Sequence, residues 1–474
     1  MSLLKSSRQY QDGVRRVAGD FGDLLARLAP DVRARIRQAM TEEAHRAGLV
    51  YESDDGSLRT LDVMLRPRLI GANQRRYLHE VCCAFQSAHE KVLDLWLNNT
   101  RVRRMLPLTE PEERWVRDLS PPGGLSQRLF CRFDASVDFA DADWVNSTPF
   151  FEANMCGVGG IYYTATADEL IMRIVAPLLQ ELAPALLLAP NDDPRLQLLE
   201  VLADRARELG LHRFNVALAQ FKDLVGGPPE FQHIEDFMRR RGVNARWVDP
   251  RDLRVKKDEL WAGDEPIDIV YRDHEVHDLA TREAAGQNLD GLKWAFRNGR
   301  VVSSLAGEFD HKSAFEVFTS EAFLRAFSGP ERKLFRRHLP WTRIVRDAVT
   351  TGPDGDEVEL LEFIRTHRQE LVLKPNRGYG GEGITLGKDS DEWDALIQRA
   401  VAEPGDWVVQ KYRHVAEKSF PRVNPDGSLR FEDYYCVLGF YTSPTRLGIL
   451  GRVSQKRVVN VAQKGGLVSV LTLL

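Results

Sequence analysis

Residues 371–386 read Leu-Val-Leu-Lys-Pro-Asn-Arg-Gly-Tyr-Gly-Gly-Glu-Gly-Ile-Thr-Leu. An apolar strand ends in Lys374, a glycine-rich loop follows, and a second apolar strand begins at Ile384. Glycines let backbone N–H groups approach a phosphate closely and adopt positive φ, and a neighbouring lysine supplies the matching charge. Gly378-x-Gly380-x-x-Gly383 satisfies the dinucleotide-binding pattern as letters only. That motif needs a helix after the loop, so that the pyrophosphate rests on its N-terminus, whereas here a short strand follows. A P-loop fails too, because Asp389 follows Gly387-Lys388 where Ser or Thr is required. Two readings stay open: a β-hairpin lying over a nucleotide's phosphates, or an ordinary flexible hairpin.

A second constellation is Arg132-x-Asp134 followed by Glu152-x-Asn154. Period-two alternation puts each pair on one strand face. Two carboxylates and an amide oxygen form a set of hard ligands suited to Mg²⁺, which shares its sphere with substrate phosphates. A guanidinium beside them would stabilise negative charge developing in a transferring phosphoryl or a tetrahedral intermediate. The bland alternative is the polar face of a half-exposed strand. A third piece is Gln410-Lys411-Tyr412 at the end of an apolar strand, where a linker can present backbone groups to an adenine edge. Asp310-His311-Lys312 precedes a helical pattern and offers a second lysine to phosphate. Cys156 has no histidine near it in the chain and reads as a small core or turn residue.

Several elements must position these groups. Leu129, Cys131 and Phe133 share one strand face, leaving Arg132 and Asp134 on the other; Phe151, Ala153 and Met155 alternate with Glu152 and Asn154. Residues 1–120 read as mainly helical, with Val14, Val17, Phe21, Leu24, Leu25 and Leu28 at helical spacing. Prolines and glycines at 107–124 mark a boundary. Beyond it, helices are expected over 165–187, 198–209 and 231–241, and strands over 213–218, 245–248 and 267–271. That alternation argues for a parallel sheet. Later come a helix over 313–325, the glycine loop, a helix over 391–401, and strands over 407–412, 434–441 and 447–454.

With 474 residues the chain has room for roughly two to four domains. Its 65 basic and 69 acidic residues leave a net charge of −4, which carries no footprint for nucleic acid. Arginine runs at 101–104 and 239–241 are expected to be solvated helix faces. Five cysteines without a CxxC argue against a disulfide framework and for a reducing, cytoplasmic setting. The first residues lack a signal peptide's apolar region, and the most apolar stretch, 174–190, is broken by Pro177 and Pro184, so no membrane span is expected.

Taken together, the Lys374 loop, the R-x-D and E-x-N pairs and the closing strands resemble the ATP-grasp superfamily. The usual order places the lysine and glycine loop before the metal-binding residues; here that order is inverted. The chain is therefore similar to the circularly permuted ATP-grasp group, which includes the ligase domain of glutathionylspermidine synthase. The resemblance covers residues 125–474. It implies an α/β (α+β) ATP-grasp fold, circularly permuted, with a Rossmann-like pre-ATP-grasp domain and a helical N-terminal region. The implied boundaries are 1–122 for the helical region, 123–170 for the permuted metal-binding strands, 171–309 for the pre-ATP-grasp domain and 310–474 for the nucleotide-binding domain.

The resemblance also implies roles. Lys312 and Lys374 would contact ATP phosphates, and Gly380, Gly381 and Gly383 would form a lid over them. Gln410 and Tyr412 would lie at the adenine. Asp134, Glu152 and Asn154 would hold Mg²⁺, with Asp138, Asp141 or Asp143 as substitutes for Asp134. Arg132 would stabilise the acyl phosphate, and Arg452 and Asn460 are weaker assignments to phosphate or substrate. The implied activity is ADP-forming ligation of a small-molecule carboxylate to an amine, such as a peptide or a polyamine. Alternatives are a nucleotide-binding module without ligase chemistry, and a ligase adding an amino acid to a peptide or carrier protein. The extra polar stretch 141–146 lengthens the hairpin relative to that group, and no cysteine amidase domain is attached. A homodimer is the base-rate expectation for assembly.

Overall fold

A computed structural model describes residues 21–52, 56–121, 127–182, 184, 187–224, 230–378, 381–456 and 465–474. Val14, Val17, Gly380 and Asn460 lie outside the described residues.

The central sheet is antiparallel over most of its width. Its order is Asp62–Val63, Gly465–Leu467, Leu447–Ser454, Leu429–Thr442, Cys131–Ala135, Phe150–Asn154, with Glu417–Val423 also pairing with the long strand Leu429–Thr442. Cys131–Ala135 inserts antiparallel beside Leu429–Thr442, Arg132 opposite Tyr441 and Asp134 opposite Gly439. Neighbours in this sheet thus lie some 300 residues apart in the chain. The alternation expected for residues 129–133 is present: Leu129, Cys131, Phe133 and Ala135 enter the largest apolar core. Behind them Phe85, on the helix Ala72–Glu90, meets Phe133 and Phe150 edge-on at 5.7 and 5.0 Å. Such aromatic pairs fix the strands from the back and leave Arg132 and Asp134 facing forward.

A second sheet runs Thr342–Ile344, Trp407–Lys411, Leu371–Pro375, Thr385–Leu386, all antiparallel. It has its own apolar core around Trp341, Leu373, Trp393 and Trp407. A third sheet is parallel, ordered Val301–Val302, Ile269–Arg272, Asn215–Ala219, Asn244–Val248, and helices alternate with its strands. Together these make a mixed α/β fold.

Three local expectations change. The N-terminal region carries the helices Pro30–Arg46, Ala72–Glu90 and Glu110–Leu119, but also strands: Asp62–Val63 extends the central sheet and Arg68–Gly71 pairs with Val470–Leu473. Short apolar runs such as Arg68–Gly71 carry no period, so only the partner strand fixes them. The helix expected over 313–325 breaks at Ser320, which is extended (φ −83°, ψ 127°), into Ala314–Thr319 and a 3₁₀ segment Glu321–Ala326. The strand expected over 267–271 is split at Asp268. Its carboxylate accepts from the Asn215 N–H at 2.9 Å, and Ile267 ends a separate hairpin.

Candidate nucleotide and metal site

The central sheet and the second sheet face each other across an open cleft. One wall carries Arg132, Asp134, Glu152, Asn154 and Arg452; the other carries Lys374, Gly381, Gln410 and Tyr412.

The first wall follows from strand register. Asp134 stands opposite Glu152 and Arg132 opposite Asn154 in the antiparallel pair Cys131–Ala135 and Phe150–Asn154. Directly opposed residues project to the same face, so all four functional groups converge. The Arg132 Nε donates to Asp134 Oδ1 at 2.8 Å, its Nη2 to Oδ2 at 3.1 Å and its Nη1 to the Gly159 carbonyl at 2.7 Å. Arg452 Nη2 reaches Asp134 Oδ2 at 2.8 Å. Asn154 Nδ2 donates to the same oxygen at 3.3 Å. Burial alone would raise the Asp134 carboxyl, but the Arg132 and Arg452 guanidiniums outweigh it and hold it below the usual carboxylate range. Arg452 Nε is buried without a partner. A buried unpaired N–H of this kind costs about 1–3 kcal/mol.

The second wall is built by the lysine strand. Lys374 Nζ donates to Gln410 Oε1 at 2.7 Å, and Gln410 Nε2 donates to Thr342 Oγ1 at 3.0 Å. Gln410 is buried and orients the lysine from the neighbouring strand. Burial, opposed by Glu152 and helped by Lys312, brings Lys374 down to about 8. A poorly solvated ammonium of this kind gains most from a phosphate partner. The Lys388 ammonium lies 4.4 Å from the Tyr412 ring centre. The Tyr412 N–H is already given to the Glu370 carbonyl at 2.7 Å.

Lys312 is buried and does not itself line the cleft. Its Nζ donates to the Gly378 carbonyl at 3.0 Å and lies 3.9 Å from Glu152 Oε2. Gly381 and Gly383 both have positive φ, 75° and 72°, and a Cβ on Gly383 would lie 2.8 Å from the Pro375 ring. Gly383 shapes the hairpin but does not line the cleft. Asp138, the first substitute for Asp134, is instead paired with Lys418 at 2.6 Å. Asp141 lies with it in a separate groove, and Asp143 folds back on Asn146 at 2.6 Å. Cys156 is buried with its thiol against the Asp273 carbonyl at 3.5 Å, and burial pushes the thiol well up, which suits a core residue.

Two residues in the site carried no signal in the sequence. Asn376 is buried and ties the two lysine segments together: its Oδ1 accepts from the Ser313 N–H at 2.9 Å, its carbonyl from the Lys312 N–H at 3.0 Å, and its Nδ2 donates to the Gly405 carbonyl at 2.8 Å. Gly439 lies under the arginine–aspartate pair, where a Cβ would sit 2.6 Å from Arg132 Cδ and 2.8 Å from Asp134 Oδ1. Asn376 stands inside the segment 371–386, but nothing in its spacing foretells three hydrogen bonds to distant chain.

Glu152 is a partly exposed carboxylate, Asn154 carries an amide oxygen, and Asp134 Oδ1 accepts one described hydrogen bond and so keeps a lone pair; these are hard donors of the type a divalent cation takes. Among the described residues no three His, Cys, Asp or Glu side chains are placed to hold a metal; the set here has two carboxylates and an amide.

The chain matches no established family profile. It is 25% identical over 481 residues to an uncharacterized protein of Mycobacterium leprae, covering 95% of this chain and 79% of that protein. It is 25% identical over 407 residues to a putative glutamate–cysteine ligase of Frankia casuarinae, covering 82% of this chain and 44% of that protein. The solved apo structure of a glutathione synthetase-like effector from Globodera pallida superposes with a TM-score of 0.62 at 13% identity, covering 94% of this chain and 97% of that one. The likeness shows a shared fold over nearly the whole chain.

Proposed function

We propose that the chain is an ATP-dependent, ADP-forming carboxylate–amine ligase of the circularly permuted ATP-grasp type, akin to the ligase domain of glutathionylspermidine synthase. The carrying observation is one cleft whose lining joins Glu152, Asn154, Asp134 and Arg452 with Lys374. Chain order supports the permuted reading: the strands bearing Asp134 and Glu152 come first, yet they complete a sheet with strands that follow the lysine loop. The Frankia relative, a putative glutamate–cysteine ligase, belongs to the same reaction class.

Lys374 and Lys312 hold the transferring phosphoryl group, Gly381 lies beside it, and Gly383 shapes the hairpin that carries Gly381. Gln410 sets Lys374, and Tyr412 borders the adenine. Asp134, Glu152 and Asn154 would hold Mg²⁺, which when bound would neutralise phosphate charge. A substrate carboxylate oxygen takes the γ-phosphoryl group and ADP leaves. The neutral amine then attacks the acyl carbonyl, the C–N bond forms, the C–O bond breaks to release phosphate, and the surplus N–H proton leaves with the phosphate. Arg132 and Arg452 donate to the oxygens on which negative charge grows.

Stoichiometric ADP and amide formation is the test, with glutathione plus spermidine and glutamate plus cysteine as first pairs, and hydroxylamine to trap an acyl phosphate as hydroxamate. ADP release that requires a carboxylate supports the ligase. ATP binding without ADP release for any pair, and without hydroxamate, contradicts it and leaves a nucleotide-binding module.

A further inference from the structure

Thr342, Gln410 and Lys374 come from three neighbouring antiparallel strands. Thr342 pairs directly with Gln410, and Gln410 pairs with Val372, two residues before the lysine. Directly opposed residues, and residues two apart on one strand, project to the same face of a sheet. The three side chains therefore stand in a row on the face that Val372, Lys374 and Gln410 turn to the cleft. All three are buried, and Thr342 has no exposed surface at all. Gln410 and Lys374 line the cleft, whereas Thr342 lies behind them and does not.

The sense of each hydrogen bond in the row follows from which groups can donate. An ammonium has donors only, so Gln410 turns its oxygen to the lysine, and Lys374 Nζ meets Oε1 at 2.7 Å. The amide nitrogen then points the other way and donates to Thr342 Oγ1 at 3.0 Å. Thr342 accepts this bond, so its own proton goes elsewhere: Oγ1 donates to the Pro340 carbonyl at 2.9 Å. A backbone carbonyl only accepts, and it ends the row. Among the described residues Lys374 and Thr342 are the only partners of the Gln410 amide. Reversing that amide would set its N–H groups against an ammonium that can only donate. Thr342 is thus the group that holds the Gln410 amide in the orientation the lysine needs.

We propose that Thr342 is a positioning residue for phosphate binding, whose hydroxyl fixes the sense of the Gln410 amide and through it the place of the Lys374 ammonium. The inference rests on the nucleotide reading of the cleft, and adds to it a residue that touches no part of the nucleotide. Without the hydroxyl, the buried Gln410 Nε2 loses its acceptor, and an unpaired buried N–H drives the side chain to another rotamer. Oε1 then leaves the lysine, and binding must order the ammonium again. That loss falls on the phosphates and leaves contacts to the base as they were.

Isothermal titration of the full chain with Mg·ATP tests it, in the wild type, in Thr342→Val, which removes the hydroxyl, and in Thr342→Ser, which keeps it. Thr342→Val weakens Mg·ATP binding by about tenfold, and Thr342→Ser stays within about twofold of the wild type. Adenosine at millimolar concentration has no phosphate to lose, so its binding is the same in all three. Cooperative melting without nucleotide shows which variants fold. If Thr342→Val does not, Thr342→Ala removes the same hydroxyl and decides in its place; if neither folds, the hydroxyl serves the fold and the proposal is overturned. Wild-type affinity in a folded variant without the hydroxyl, a loss in Thr342→Ser as large as in Thr342→Val, or an equal loss for ATP and adenosine also overturns it, and each of these leaves the nucleotide reading standing. A wild type that does not bind Mg·ATP removes that reading and the positioning role with it.

Discussion

Lys374 is the residue whose titration reports most directly on the cleft. With its ammonium lowered to about 8, it is charged at neutral pH and loses its proton on mild alkalinisation. Phosphate requires the charged form, so nucleotide affinity is flat below pH 8 and falls above it by up to about tenfold per pH unit. The sign for stability is opposite. The unfolded chain keeps this proton up to about pH 10.4, so the empty protein gains stability from this group as pH rises from 8 to 10. Isothermal titration of Mg·ATP at pH 7, 8 and 9 checks the first, and affinity that is independent of pH removes Lys374 from the phosphate site. Asn376 acts through structure. Asn376→Ala strands the Ser313 N–H and the Gly405 carbonyl, at a cost of about 2–4 kcal/mol in urea unfolding. A loss under about 0.5 kcal/mol would mean that water replaces the asparagine. The facing of Arg132 with Asp134 and of Glu152 with Asn154 was legible, because a strand's period of two follows from backbone geometry. Arg452 reaching Asp134 was not, because the two lie 318 positions apart and meet only through sheet order.

At the scale of elements, the site depends on a strand that carries none of its charged groups. Leu429–Thr442 passes beneath Arg132 and Asp134, and Gly439 leaves the room they occupy. Gly439→Ala forces that pair to shift, so the variant keeps its sheet, loses about 1–3 kcal/mol by overpacking, and loses its Mg²⁺-dependent response to ATP. A variant with an unchanged response would show that the arginine–aspartate pair is not needed for nucleotide. The glycine hairpin is tied to the same logic, since Gly383 must adopt positive φ against the Pro375 ring. Long periodic elements were readable: the helices Pro194–Glu208 and Glu230–Arg240 and the strands Asn244–Val248 and Leu447–Ser454 lie where their periods put them. Two- to four-residue strands such as Asp62–Val63 were not, because their identity comes from a partner and not from propensity.

The whole molecule brings chain segments together in an order that differs from their order in sequence. Residues 131–154 and 429–454 share one sheet, residues 342–411 form the facing one, and the parallel sheet sits between them in the chain. The cleft exists only where the two antiparallel sheets meet, and no segment contains it alone. Composition showed that the chain was long enough for such an arrangement, and the motif order suggested that it was permuted. Among the described residues no helix is long and apolar enough to cross a membrane.

The central claim is that this cleft takes Mg·ATP through Glu152. The melting temperature with and without Mg·ATP, in the wild type and in Glu152→Ala, tests it most directly. A ligand at about a hundred times its dissociation constant adds roughly 2.7 kcal/mol, which raises the midpoint by a few degrees in a chain of this size. The account predicts that rise in the wild type, its dependence on Mg²⁺, and its loss in Glu152→Ala at an unchanged apo midpoint. No rise at saturating nucleotide, or the same rise in Glu152→Ala, would contradict it.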